Sequence, residues 1–495
     1  MIPVVVVENP KRWPLDLKGV EVVPAREYLV ERKWAELRGA AVYNLCRQYG
    51  YQTLGYYVSL LAAARGHRPL PSVSTLQTLS LSPVVRSVSE ELDGLIQKSL
   101  ATLRTDEFRL SIYFGKNVAR RHDSLARALF NQFPSPFLLA RFVRERGNWR
   151  LAGLRPIPTT EIPESHRPFA VSQAQAYFAR PLRQKRKTSQ AYDLAILWNP
   201  DEPHSPSNEG AIRKFIRSAA EEGMEAEIIT QDEYGRLAEY DALFIRDTTR
   251  VDHYTFRFAR RAVAEGLVVV DDPESIIRCT NKVFQAEAFR RKGIPAPRTL
   301  VVHEGNVAEV VATVGLPCVL KRPDGAFSQG VVKVESEAQL AAILPALFAE
   351  SDLLVAQEWT PSAFDWRIGV LGGEPLFAAR YHMARGHWQI IRAPNTEKED
   401  TRYGKVEAVP LEAVPPRIVE VAVEAAALMG DGLYGVDLKE VEKRVVVMEV
   451  NDNPNVDAGM EDTILKDELY RRIMGWFRQR LDLRGASGTG RRRVP

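Results

Sequence analysis

The stretch from Val445 to Pro454, VVVMEVNDNP, limits what this chain can fold into more than any other. Its β-branched run reads as a strand, and on a strand Glu449 and Asn451, two residues apart, leave the same face. Upstream stands Tyr434-Gly435-Val436-Asp437, separated from the run by the polar segment Lys439 to Arg444, which can turn the chain back on itself. If the two runs pair antiparallel, Asp437 sits opposite Glu449 on the neighbouring strand. Two carboxylates and an amide carbonyl then converge. Such a hard-oxygen set suits Mg2+, which keeps several waters and leans on phosphate for its remaining ligands.

At 495 residues the chain is long enough for about three domains. Hydrophobic residues make up 45% and charged residues 26%, the balance of an ordinary globular protein. The longest apolar runs, such as Val4 to Val7, are strand-length, so no membrane association is expected. The N-terminus shows no secretory pattern, and Cys46, Cys279 and Cys318 are few, odd in number and widely spaced. These features point to a cytoplasmic protein and against a zinc site. The net charge of +4 decides little. Basic clusters at Arg183 to Lys187 and Arg491 to Arg493 lack interleaved aromatics, so a solvated linker and a tail are expected rather than a nucleic-acid surface.

The chain separates into residues 1–180, a basic linker 181–190, a segment 191–280, a segment 281–484 and a tail 485–495. In the first, strand-like Pro3 to Glu8 is followed by helical stretches, Thr53 to Arg65 and Ser87 to Leu103, broken by prolines. In 191–280, strands at Leu194 to Trp198, Ala226 to Thr230, Ala242 to Arg246 and Leu267 to Val270 alternate with helices, which predicts a small parallel sheet. No G-x-G-x-x-G follows its first strand, so a dinucleotide site is not supported. From Asn281 on, a helix Lys282 to Lys292 stops at Gly293, and strands and helices follow in an α+β order.

A phosphate partner for the oxygen cluster is read from Lys321, which ends the buried run Pro317 to Leu320. After it come Pro323-Asp324-Gly325-Ala326-Phe327-Ser328-Gln329-Gly330. A lysine at a strand end beside a glycine loop gives an anion one charged donor and several backbone N–H groups. It is not a Walker loop, because Val331 and Val332 stand where lysine and a hydroxyl residue belong. Taken alone, the segment reads equally as a hairpin turn with an exposed lysine.

Lys282 opening a helix, Lys321 before the glycine loop, Gln357-Glu358-Trp359, Asp365-Trp366-Arg367, then Asp437 and Glu449-Val450-Asn451 stand in the order seen in ATP-grasp ligases. The region from about Leu194 to Leu483 resembles the RimK and glutathione-synthetase-type branch, and residues 1–180 are similar to the extra N-terminal domain of one RimK-like subgroup. The resemblance implies an ATP-grasp fold: a pre-ATP-grasp parallel sheet and two α+β subdomains, behind an N-terminal α/β domain. It implies that Lys282 and Lys321 bind nucleotide phosphates and that the loop Asp324 to Gly330, with Gly325, Ser328 and Gln329, closes over them. Glu358, Trp359 and Thr360 are implied as the adenine hinge and Asp365 as the ribose carboxylate. Asp437, Glu449 and Asn451 match the metal ligands, for two Mg2+ ions with Mn2+ as an alternative.

ATP then activates a carboxylate as an acylphosphate, and an amine attacks it. Arg367 and Arg380, on the strands after the hinge, are candidates to stabilise the transferring group, with surface strand residues as the competing account. Arg385, His387, Trp388 and Arg392 form a stretch able to hold an acidic amino acid or peptide carboxylate. Arg246, His253 and Tyr254 are further candidates for the acceptor site. The expected partners are a carboxylate and an amine substrate, such as an amino acid and a peptide or protein acceptor, and a homo-oligomer is left open. The competing reading is a nucleotide-binding regulatory module that has lost ligation and acts through residues 1–180.

Overall fold

The computed structural model describes residues 2–488, apart from 14, 16, 18–19, 38–39, 80–87, 90–91, 180–191, 204, 325–329, 385–387, 389–403 and 442–443. The chain forms two compact units, Met1–Thr188 with Asp232–Glu239, and Ser189–Gln231 with Tyr240–Pro495.

The first unit is built on a parallel sheet of order β2-β1-β3-β4, from β1 (Ile2–Val7), β2 (Glu21–Pro24), β3 (Ala40–Asn44) and β4 (Arg68–Leu70). The valines of β1 divide by parity. Val4 and Val6 pack with Tyr28, Trp34 and Val58, while Val5 and Val7 join Tyr43, Phe114 and Phe137, so both faces are buried. The second face shares its core with an antiparallel meander, β5 (Glu107–Tyr113), β6 (Phe137–Glu145) and β7 (Asn148–Pro156). This meander goes beyond the strand-and-helix reading of the region. Its solvent-facing positions, such as Glu107 and Arg109, interrupt the apolar run and leave only a short period of two.

The second unit opens with a parallel sheet of order β11-β10-β8-β9, from β8 (Tyr192–Leu197), β9 (Met224–Ile229), β10 (Ala242–Ile245) and β11 (Val268–Val270). Its connectivity repeats that of the first unit. In each, the first strand is central, the second flanks it, and the third and fourth lie on the other side. A helix joins the third strand to the fourth in both, α1 (Leu54–Ala64) in the first unit and α2 (Tyr254–Ala264) in the second.

Two antiparallel sheets follow. The smaller has the order β12-β15-β13-β14, from β12 (Thr299–Val302), β13 (Cys318–Lys321), β14 (Val331–Val334) and β15 (Leu354–Glu358). Val302, Leu320, Leu354 and Ala356 bury one face against Leu340 and Leu344 of a helix. Pleating sends Thr299, Val301, Lys321, Val355 and Gln357 to the other face. The larger sheet has the order β18-β17-β16-β19-β20, from β16 (Phe364–Leu371), β17 (Glu374–His382), β18 (Val406–Val409), β19 (Leu433–Val441) and β20 (Arg444–Asp452). Trp366, Ile368, Val436, Leu438, Val447 and Val450 pack against Ile418, Val421, Ala422 and Ala425 of a helix. That leaves the odd-numbered positions of β16 and β19 for the other face.

Arg246 ties the parallel sheet to the segment leaving β20. It is fully buried. Its guanidinium donates to Pro206 O at 2.6 Å, Ser207 Oγ at 2.9 Å, Asn453 Oδ1 at 2.7 Å and Pro454 O at 2.8 Å. The expectation that Arg246 reaches an acceptor is therefore corrected: all three nitrogens are spent on internal oxygens. Replacing Arg246 with Met strands those acceptors out of water and is expected to destabilise the protein by about 3 kcal/mol, measured by urea unfolding.

Candidate active site

The pairing of β19 with β20 sets the site. Asp437 stands opposite Glu449, Gly435 opposite Asn451, and Asp437 is also opposite Arg367 of β16. A bulge after Asp437 leaves Met448 without its own partner, since Leu438 pairs with Val447. The strands continue through Lys439 to Val441 and restart at Arg444, so the turn is tighter than the polar segment suggested.

Arg367, Asp437 and Glu449 thus form a row across three strands. The guanidinium of Arg367 forks onto both oxygens of Asp437, through Nε to Oδ1 and through Nη2 to Oδ2 at 2.8 Å. Asn451 donates its amide to Asp437 Oδ2 at 3.1 Å. Lys282 Nζ lies 3.5 Å from Glu449 Oε2. Burial pushes the Asp437 carboxyl up to about 6, against the pull of Arg367, with Glu449 and Asp365 adding like charge. Burial would raise Glu449 too, but Lys282, Lys321 and Arg367 outweigh it and hold that carboxylate below its ordinary value.

Lys321 points from the bare face of the smaller sheet and donates to Gln357 Oε1 at 2.7 Å. Burial lowers its ammonium to about 8, with Lys282 and Lys439 adding to the effect and Glu449 and Asp365 opposing it. Lys282 is placed by Asn281, whose side chain caps the helix α3 (Lys282–Lys292) by accepting from Val283 N and Phe284 N. The same Asn281 donates to Asp324 Oδ1 at 2.8 Å, and Lys282 N donates to Pro323 O at 2.9 Å. Gly330 closes the loop with φ of +70°, the left-handed region suited to glycine. Gly325, Ser328 and Gln329 lie outside the described residues, as do Arg385, His387 and Arg392.

A cavity of about 560 Å³ runs from Lys282 and Lys321 past Gln357 and Met448 to Leu300 and Arg298. Beyond Gln357, Glu358 ends β15 and Trp359 and Thr360 carry the chain out of it. Thr360 Oγ1 donates to the Glu358 carbonyl at 3.2 Å, and Trp359 stacks edge-on with Trp388 beneath the Lys333 ammonium. Asp365 is held by Lys439 at 3.1 Å and by the Ser362 hydroxyl at 2.9 Å.

Arg380 is a correction. It pairs with Trp366, so it shares the helix-covered face, opposite the row of Arg367, Asp437 and Glu449, and its guanidinium lies over Phe364 and Trp366. Lys439 was missed. It has the parity of Asp437 two residues earlier, a signal hidden by reading Lys439 to Arg444 as a turn. Gln357, which positions Lys321, was passed over as part of the hinge.

Among the described residues no three His, Cys, Asp or Glu side chains gather as a metal site. The donor set is instead two carboxylates and the Asn451 amide. Its hard oxygens fit Mg2+, provided Asp437 shares with a cation what it now gives to Arg367.

Residues 25–173 match the RimK-like ATPgrasp N-terminal domain and residues 279–473 the RimK-like ATP-grasp domain. Over 235 residues the chain is 30% identical to a protein of Pseudoalteromonas atlantica named probable alpha-L-glutamate ligase 1, covering 47% of this chain and 74% of that protein. A probable alpha-L-glutamate ligase of Vibrio vulnificus is 28% identical over the same shares. A crystal structure of a RimK domain ATP-grasp protein from Sphaerobacter thermophilus aligns with 57% of this chain and 98% of its own, at 17% identity and a TM-score of 0.45. The chain belongs to the RimK-like ATP-grasp family, and it is an ATP-dependent ligase.

A lysine with a lowered pKa carries more neutral amine than its neighbours. Limiting acetic anhydride at pH 8 is expected to acetylate Lys321 ahead of the exposed lysines, and this preference should fade at about pH 11, where those lysines are neutral as well; peptide mapping checks both.

Proposed function

We propose that the protein uses ATP to join a carboxylate to the amine of an amino acid, with glutamate the leading candidate and a peptide or protein supplying the carboxylate. The row of Arg367, Asp437 and Glu449, close to Lys282 and Lys321, is the observation that carries this reading. The names of the relatives support the choice of glutamate.

In this reading Lys282, Lys321 and the loop from Asp324 to Gly330 hold the phosphates. Main-chain groups of Glu358, Trp359 and Thr360 meet adenine, and Asp365 meets the ribose hydroxyls. Asp437, Glu449 and Asn451 would hold two Mg2+ ions, or Mn2+ in their place, and such ions would supply positive charge to offset that of the phosphates. A substrate carboxylate oxygen attacks the γ-phosphorus and ADP leaves. The amine nitrogen then attacks the acyl carbon, phosphate departs and the amine gives up a proton. Arg367 has N–H groups beyond the two given to Asp437, and these suit the charge that builds on the transferring phosphoryl group and the tetrahedral oxyanion. No helix among the described residues is long and apolar enough to cross a membrane. The few, widely spaced cysteines support a reducing compartment, the cytosol, for the reaction.

The test is ADP release with ATP, Mg2+ and pooled amino acids or peptides, with mass spectrometry of the product. ADP formation should depend on an added amino acid and fall by about two orders of magnitude in Glu449→Ala and Lys321→Ala. Unchanged rates in those variants would sink the site assignment. Tight ATP binding with no ADP across the whole panel would instead favour the regulatory module.

A further inference from the structure

The two antiparallel sheets of the second unit bear different halves of the proposed nucleotide site. Lys321 stands on the smaller sheet, and Asp437, Glu449 and Asn451 stand on the larger. The chain crosses from one to the other between Glu358, the last residue of β15, and Phe364, the first of β16.

Glu358 is 9% exposed. Its two carboxylate oxygens go to different sheets. Oε2 accepts from Arg298 Nε at 2.6 Å, and Arg298 immediately precedes β12, the neighbour of β15. Oε1 accepts from Arg444 Nη2 at 2.9 Å, and Arg444 opens β20, the strand that carries Glu449 and Asn451. Two main-chain bonds frame the bridge. Glu358 N donates to Arg298 O at 2.9 Å, and Val447 N of β20 donates to Pro295 O at 2.8 Å.

We infer that Glu358, through Arg298 and Arg444, fixes the separation of the two sheets and is a positioning residue for any ligand that must touch both. The argument is one of connectivity. Val447 and Pro295 attach the sheets at one point, and α3 attaches them at another, with Gln285 bonded to Val450 of β20 and Lys282 N to Pro323 O after β13. The charged bridge adds a further point, and a third attachment removes the rotation that two leave free. A buried carboxylate between two guanidinium groups is held on both sides, and losing either arginine frees one sheet from it. The arginine heads themselves are largely exposed, so the bridge acts on geometry more than on overall stability.

The inference rests on the reading that ATP spans the two sheets. Adenine alone can meet the main chain after β15 without reaching across, whereas ATP needs Lys321 from one sheet and Asp365 and the metal-site carboxylates from the other. A bridge that sets their separation therefore affects ATP and spares adenine. A defect local to the base pocket affects both.

The experiment measures Kd for adenine and for Mg2+-ATP by calorimetry on the full chain, in wild type and Arg444→Ala, and for Mg2+-ATP also in Glu358→Gln and the double variant. Arg444 is chosen because it does not line the cavity. Arg444→Ala is expected to weaken ATP about ten-fold and leave adenine within two-fold. The double variant should weaken ATP no more than either single, since both cut the same link. Arg444→Lys should restore part of the loss. Equal weakening of adenine and ATP in Arg444→Ala, additive losses in the double variant, or no change in ATP affinity would each overturn the bridge. Thermal unfolding of the same samples separates a folding defect, which would lower the midpoint and weaken both ligands. Wild-type protein that binds no ATP would overturn the functional reading itself.

Discussion

The register between β19 and β20 is the constraint on which the site depends. Side chains alternate along a strand, so sliding one strand by a single residue would turn Glu449 and Asn451 into the helix-packed core and bring Val450 out. The core prevents that slip. Val436, Leu438, Val447 and Val450 must all face the covering helix, and this apolar demand fixes the acids on the opposite face. The bulge at Met448 then lets Val447 and Glu449 both take their proper faces although they are two residues apart. Without the extra residue, parity would send both to one side.

The electrostatics follow from that placement. Asp437 and Glu449 are paired side by side in a partly buried row, yet the structure treats them differently. Glu449 has two lysines and an arginine around it and stays ionised, whereas Asp437 is raised despite its bidentate arginine. Arg367 is therefore both the partner that keeps Asp437 charged and the group that competes for its oxygens. A cation arriving at Asp437 would take over the first task and release Arg367 for another.

Much of this was legible from local spacing. The parity of Glu449 and Asn451 and the likeness of Tyr434 to Asp437 to a partner strand led to the observed register. Lys282 at the start of a helix and Gly293 at its end are signals of the kind that capping chemistry explains. What spacing could not supply was parity carried across turns. Arg367 and Arg380 are separated by a hairpin whose glycine pair, Gly372 and Gly373, and whose bulge at Gly369 and Val370 decide which face Arg380 takes. Arg246 was misread for another reason. A lone arginine gives no hint that a set of backbone oxygens from distant loops will meet it, because those loops converge only in the folded chain. Residues 107–156 hid their strands behind exposed charges.

The side chain of Asn281 faces two ways, toward the first turn of α3 and toward Asp324. It is thereby a mechanical coupling as well as a cap. Moving the first residue of the glycine loop away from α3 breaks a bond to the group that caps the helix bearing Lys282. Because the acceptor in that bond is a carboxylate, its strength follows the charge of Asp324.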